Sequence, residues 1–388
     1  VTEKEIEQEA EKMNQLIKNN VSLKVRILTS KLPDLAKARV WEKYKLYESI
    51  DKDSVTASHY KEWIDNALLL PFDEPPKINE KHDTLLLNLK NELDKEVYGM
   101  TQVKEKILCI FNEKLKNGPN STIAIGMIGS PGCGKTKIAR TIGKALNRKW
   151  EQISLGGTID SSIIKGQSPG WVGSSPGRII KGMQKMKTRY GVFILDEIDK
   201  LGQTNHGKET QYSLLEIIDP TQNETFCDNY IGPEIPINLS SNIFVYCLNS
   251  TEGLDPALLS RLQPLIYVPD YTFEDKYEII KNYALPEFLI NKGMKKDDVI
   301  INKNELKYLI SKVNDIYGQE GGVRNLRNCL DVMISKINLL ISLENPDVFK
   351  LTFTQKLNLP VVLDNNLIDL LLKDTVSDTK KEKLVYFS

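Results

Sequence analysis

The sequence predicts an α/β protein: a five-stranded, mainly parallel sheet flanked by helices, with a helical segment before it and a separate all-helical unit after it. Two observations lead there. Five short apolar runs, IAIGMIG (123–129), WEQISL (150–155), VFILDE (192–197), NIFVYCLN (242–249) and PLIYVPD (264–270), alternate with helical patterns, as strands covered on both faces require. After Tyr271 no further run of that kind occurs until the last residues, and Glu274 to Leu343 reads as helices parted by NKGMKKDD and YGQEGG.

Taken in order, Thr2 and Glu5 have capping-box spacing, and Ile6, Ala10, Met13 and Ile17 recur at intervals of four, three and four, which predicts a long amphipathic helix. KARVWEKYKLY predicts a second helix. ASHYKEWIDNALLL predicts a third, ended by Pro71, whose ring would clash with a continuing turn. PFDEPPKINEKHD has three prolines and no apolar period, so it reads as a linker. The expected domains are a helical segment (1–70), the linker (71–83), the α/β domain (84–271), the helical unit (272–345) and a tail (346–388). That tail holds FKLTF, LDNNLIDLLL and a polar end, TVSDTKKEK, expected to be poorly ordered.

Composition removes several function classes. Among 388 residues, Lys+Arg and Asp+Glu both number 52, so no global field draws the chain to nucleic acid or an anionic membrane surface. No apolar run approaches the ~20 residues of a membrane span. The five cysteines lie far apart with no CxxC pair, which predicts reduced thiols in an intracellular, reducing compartment, cytoplasm or organelle matrix. Three histidines without an HExxH pattern argue against a His-ligated metal. A first residue Val with no signal-peptide pattern after it predicts a processed product or an excerpt.

The segment that carries chemistry is Gly129-Ser130-Pro131-Gly132-Cys133-Gly134-Lys135-Thr136, a full match to GxxxxGK[ST] between an apolar strand and the helical KTKIARTIGKAL. Glycines let backbone N–H groups turn in on a phosphate chain, and a helix N-terminus adds its positive end. Lys135 would neutralise β and γ oxygens, Thr136 would offer a hydroxyl to Mg²⁺, and Lys137 completes the nucleotide-binding set. VFILDEID then delivers two carboxylates to a strand's C-terminal edge, Asp196 and Glu197 standing 61 and 62 residues after Lys135. Asp196 is expected to hold Mg²⁺, and Glu197 to orient and deprotonate an attacking water.

The chain resembles AAA+ P-loop NTPases, and within them the Lon protease family. The likeness rests on GSPGCGKTKIARTIGKALNRKWEQISLGG, IIKGQSPGWVGSSPGRIIKGM, FILDEIDKLG, SLLEIIDPTQNETFCDNY, DPALLSRL and GGVRNLRN, in that order. It covers roughly residues 84 to 345, with a weaker likeness before Pro71. It implies that Asn249 is the sensor 1 polar residue, Arg261 the arginine finger acting on a neighbouring subunit's γ-phosphate, and Arg324 the sensor 2 arginine of the lid. Singly, Asn249 would be a turn former, Arg261 a surface ion-pair partner and Arg324 a helix-end residue; their joint order favours phosphate work, for which a planar, permanently charged guanidinium is suited.

The same resemblance places Trp171 and Val172 in the first pore loop, which grips an extended polypeptide in the channel of a hexameric ring; the alternative is a core Trp anchoring a loop. Tyr is more usual there. The family continues into a peptidase domain with a Ser-Lys dyad in a GPSAG-like segment, and no such segment occurs in these 388 residues. Three expectations therefore stand side by side: the ATP- and Mg²⁺-dependent motor of a larger protease acting on unfolded or misfolded proteins, a stand-alone unfoldase or remodelling ATPase, and a nucleic-acid-handling relative such as a clamp loader. Balanced charge and Trp171 count against the third.

Overall fold

A computed structural model of the chain describes residues 22–73, 82–116, 122–156, 161–170, 173–201, 205–343 and 346–374. The helix expected over the first twenty residues, Trp171, Val172 and the polar end after residue 374 lie outside them.

The chain divides into two compact units. One comprises Val1–Leu89, Leu108–Gly126 and Ile142–Leu265, the other Lys90–Ile107, Met127–Thr141 and Ile266–Ser388. The division falls within two strands, β1 (Ile123–Ile128) and β5 (Leu265–Tyr267).

Among the described residues the first unit opens with α1 (Leu23–Thr29), α2 (Asp34–Ser49) and α3 (Val55–Leu68). The Ser54 hydroxyl accepts from the Ala57 N–H and starts α3, which ends three residues before Pro71, as the sequence predicts. Helices α4 (His82–Glu96) and α5 (Thr101–Lys116) follow, each divided between the two units. Strand β1 leads to α6 (Lys135–Ala145), β2 (Trp150–Ser154), α7 (Ser162–Lys165), α8 (Arg178–Met186), β3 (Val192–Asp196), α9 (Asn205–Ile218), β4 (Ile243–Leu248) and α10 (Pro256–Arg261).

All five expected strands form, in one sheet of order β2-β3-β4-β1-β5. Strand β3 lies between parallel partners, with Val192 opposite Trp150 and Ile243. Every residue of β4 is buried, which explains its unbroken apolar run. Phe193 and Phe244 stack 5.4 Å apart on adjacent strands, a pair worth about 1 kcal/mol beyond its buried area.

The segment read as a linker is docked at its start. The Asp73 carboxylate accepts from the Thr188 hydroxyl (2.6 Å) and the Arg189 N–H (3.1 Å), and its carbonyl accepts from the Tyr190 phenol at 3.0 Å.

The second unit adds α11 (Phe273–Ile279), α12 (Leu285–Asn291), β6 (Val299–Ile300), α13 (Lys303–Tyr317), α14 (Arg324–Ser342) and β7 (Val361–Val362). Thr272 and Asp275 form a reciprocal capping box at α11. A π turn, Ile280–Ala284, joins α11 to α12. Its wider turn accommodates Pro286, which lacks an N–H and crowds the preceding carbonyls.

The unit's core joins Leu306, Leu309 and Leu330 to Leu363, Leu367, Ile368, Leu371 and Leu372, so LDNNLIDLLL packs into the same core as helices α13 and α14. One feature differs from the all-helical expectation: β6 and β7 pair in parallel, Val299 opposite Val361. Two-residue strands are too short to show a period in sequence, and only the return of the chain after residue 350 creates the pairing.

Candidate functional site

The phosphate loop belongs to the second unit. Lys135 opens α6, is 7% exposed, and its ammonium donates to the carbonyls of Gly129 (2.6 Å) and Ser130 (2.9 Å). This draws the charge inward over the loop. Gly132 and Gly134 hold φ of +78° and +103°, values that L side chains strain to reach. Thr136 and Lys137 follow on the first turn of α6, whose N-terminal N–H groups favour an anion. Cys133 is fully buried, and burial pushes its thiol up.

Arg324 is brought to this loop. The Val323 N–H donates to the Gly132 carbonyl at 3.3 Å, and a Cβ on Gly132 would lie 3.0 Å from the Arg324 Cβ and collide with the Glu320 carboxylate. Glu320 in turn accepts from the Arg324 N–H (3.1 Å) and the Asn325 N–H (2.8 Å), capping α14. Tyr271 lies beside Gly134 and donates its N–H to the Gly321 carbonyl; burial pushes its phenol up to about 12. Gly132→Ala is therefore expected to lower stability by about 1–3 kcal/mol through left-handed strain and this crowding. A thermal melt checks it, and a melting temperature equal to the parent's would show that the loop yields freely.

The acidic pair belongs to the first unit. Glu197 follows β3 with φ +61°, a left-handed conformation uncommon outside glycine and frequent at functional positions. Its N–H donates to Asp196 Oδ1 (3.0 Å), its carbonyl accepts from the Lys200 N–H (3.1 Å), and its carboxylate accepts from Ser154 Oγ (3.0 Å) and from Lys200 Nζ (2.6 Å). Contact with Glu197 raises the Lys200 pKa. Asp196 accepts from Gln152 Nε2 at 3.2 Å. Both carboxylates are thus fixed at the C-terminal end of a buried strand.

Asn249 stands just after β4 and donates its N–H (3.2 Å) and its amide (3.3 Å) to the Asp199 carboxylate on the turn Ile198–Leu201. Arg261 ends α10 and pairs with Asp219 at 3.0 Å. Hydrogen bonds from Thr221, then the guanidinium, lower the Asp219 pKa. The Arg261 side chain is 53% exposed, so this pair contributes little to stability.

Trp171 and Val172 lie outside the described residues. Their flanks, Gly170 and Gly173, hold φ of +120° and +84°, and a Cβ on either would meet no described atom within 4 Å.

Sequence reasoning missed Ser154, Lys200, Asp199, Asp219 and Glu320 as supports. Lys200, three residues after Glu197, carried an ion-pair spacing that could have been noticed. Ser154 carried no local signal, because its contact spans 43 residues.

A sheet of this order, a glycine loop with a buried lysine, and an acidic pair closing a central strand define a nucleotide-binding ATPase module. The profile of the ATPase family associated with various cellular activities (AAA) matches residues 125–270. Lon protease of Mycoplasma genitalium is 34% identical over 318 residues, covering 81% of this chain and 38% of the relative. Lon protease 1 of Syntrophotalea carbinolica is 36% identical over 287 residues (74% and 33%), and Lon protease 2 of Thermus thermophilus 33% over 318 (79% and 38%). The chain is a Lon-type AAA+ module. It spans 33–38% of the length of these curated relatives.

Proposed function

We propose that this chain is the ATP-hydrolysing motor of a Lon-like ATP-dependent protease, unfolding and translocating protein substrates through a ring pore. The observation that carries the reading is the phosphate loop: a buried ammonium on loop carbonyls, glycines at positive φ, and a helix N-terminus, in a chain similar to Lon proteases. Within the phosphate loop, the residues fit a nucleotide's phosphate chain: an ammonium over the loop carbonyls and the N-terminal N–H groups of α6. Lys135 would meet the β and γ oxygens, and Thr136 and Asp196 would hold the metal. Bound Mg²⁺ would neutralise charge on the phosphates.

Glu197 would take the proton of the attacking water, and Asn249 would help position that water. Arg324 would follow the nucleotide from the lid. Arg261, exposed at the end of α10, suits action on a neighbouring subunit, which supports a homo-oligomer, a hexameric ring on the family pattern. All five cysteines are free thiols, which supports an intracellular, reducing compartment. Among the described residues no helix is long and apolar enough to cross a membrane.

The test is a coupled assay of ATP hydrolysis and unfolding of a fluorescent tagged protein. Trp171→Ala is expected to lower the unfolding rate about tenfold, since an aromatic grip of roughly 1–2 kcal/mol is lost. An unchanged rate would return Trp171 to a packing role and remove the pore-loop part of the reading.

A further inference from the structure

The described residues of the 166–177 segment divide into an exposed part and a buried base. Residues 167–170 and 173 are exposed, whereas Gly166, Pro176 and Gly177 are buried. The base is closed from both sides by one short segment, Asp228-Asn229-Tyr230. Asp228 Oδ2 accepts from the Gly177 N–H at 2.8 Å, and Oδ1 accepts from the N–H groups of Tyr230 (2.9 Å) and Ile231 (3.1 Å).

On the other side the Asn229 N–H donates to the Lys165 carbonyl (2.7 Å) and its amide to the Gly166 carbonyl (3.2 Å). Between the two sides, the Gln167 N–H reaches the Ser175 carbonyl at 3.2 Å. Gly166 has φ +77°, and a Cβ there would lie 3.0 Å from both Asp228 oxygens. No side chain larger than hydrogen fits inside this ring of contacts.

Asp228 is 1% exposed, and burial raises its pKa while the three N–H donors hold the carboxylate. A buried carboxylate held by backbone donors orders the donors it holds, since each left unpaired would incur the desolvation cost of a buried polar group. The segment is anchored in turn by the N-terminal helices. The indole N–H of Trp63, on α3, donates to the Tyr230 carbonyl at 3.0 Å in a buried contact. From the same helix, the Asn66 carbonyl accepts from the Gln184 amide at 2.8 Å, on the helix that begins at Arg178.

We propose that Asp228 and Asn229 form a collar that positions the 166–177 loop, and that Trp63 fixes this collar, so that the N-terminal helices set how firmly the loop is held. These are positioning residues. The consequence for substrate grip rests on the reading of the loop as a pore loop; the collar itself does not.

Hydrogen exchange followed by mass spectrometry on the 388-residue chain separates the two. In Asp228→Asn an amide donor faces backbone donors, and peptides covering 166–177 are expected to exchange about tenfold faster. In Trp63→Phe, which keeps a ring but removes the N–H, the same peptides are expected to exchange about threefold faster. Peptides covering β4 should stay within twofold of the parent in both.

Should Asp228→Asn fail to fold, Asn229→Ala takes its place with the same expectation. Unchanged exchange over 166–177 in a folded collar variant overturns the collar, as does an equal rise in β4. A rise with Asp228→Asn but not with Trp63→Phe overturns the link to the N-terminal helices. If exchange rises as expected while Trp171→Ala unfolds substrate at the parent rate, the collar stands and the pore-loop reading falls.

Discussion

Glu197→Gln is expected to retain nucleotide and to hydrolyse it about a hundredfold or more slowly. The amide keeps the shape of the side chain but takes no proton, and a positioned base contributes roughly 10²–10⁴ in rate. Folding should survive the change. The Ser154 and Lys200 contacts lie at an exposed position and the ion pair is of a kind worth about 1 kcal/mol or less. The left-handed backbone that aims the side chain belongs to the turn after β3 and not to the carboxylate. ADP release measured with saturating ATP and Mg²⁺, beside a thermal melt, checks both halves. Turnover within threefold of the parent would remove Glu197 from the chemistry and leave its strained conformation as a purely structural feature of the turn.

The second large effect is expected at Lys135→Met. Lys135 is 7% exposed in the parent, and its ammonium is held by the Gly129 and Ser130 carbonyls over the loop. Truncating one partner of a buried, hydrogen-bonded charge pair costs about 2–5 kcal/mol, so affinity for a fluorescent ATP analogue should fall on the order of a hundredfold or more. Stability should fall by about 1–2 kcal/mol, because two loop carbonyls lose a donor. Affinity within threefold of the parent in a folded variant would mean that the loop binds phosphate through its N–H groups alone. Measuring both variants distinguishes the two roles: Lys135→Met is expected to fail at binding, Glu197→Gln at turnover.

Much of this was legible in advance because it is written in local pattern. The apolar runs at 123, 192 and 242 marked the interior strands β1, β3 and β4, since a strand buried on both faces needs mostly apolar residues, whereas the runs at 150 and 264 formed the edge strands β2 and β5, which are partly exposed. Pro71 marked the end of α3 and GSPGCGKT marked a strand-to-helix loop, because turn chemistry and missing donors act over a few residues. The order of the motifs pointed to the family, and the relatives agree.

Contacts between distant residues had no such signature. Nothing in NNLIDLLL tells which core it will join, and nothing in VI or VV announces a strand pair. The positive φ of Glu197, the Glu320 carboxylate against Gly132, and the Asp228 collar on a loop fifty-one residues earlier in the chain arise only when separate segments are packed together. Periodicity and capping specify elements through interactions within about four residues. Which buried carboxylate holds which backbone N–H is decided by the whole chain's packing, where an unpaired polar group has no water to turn to.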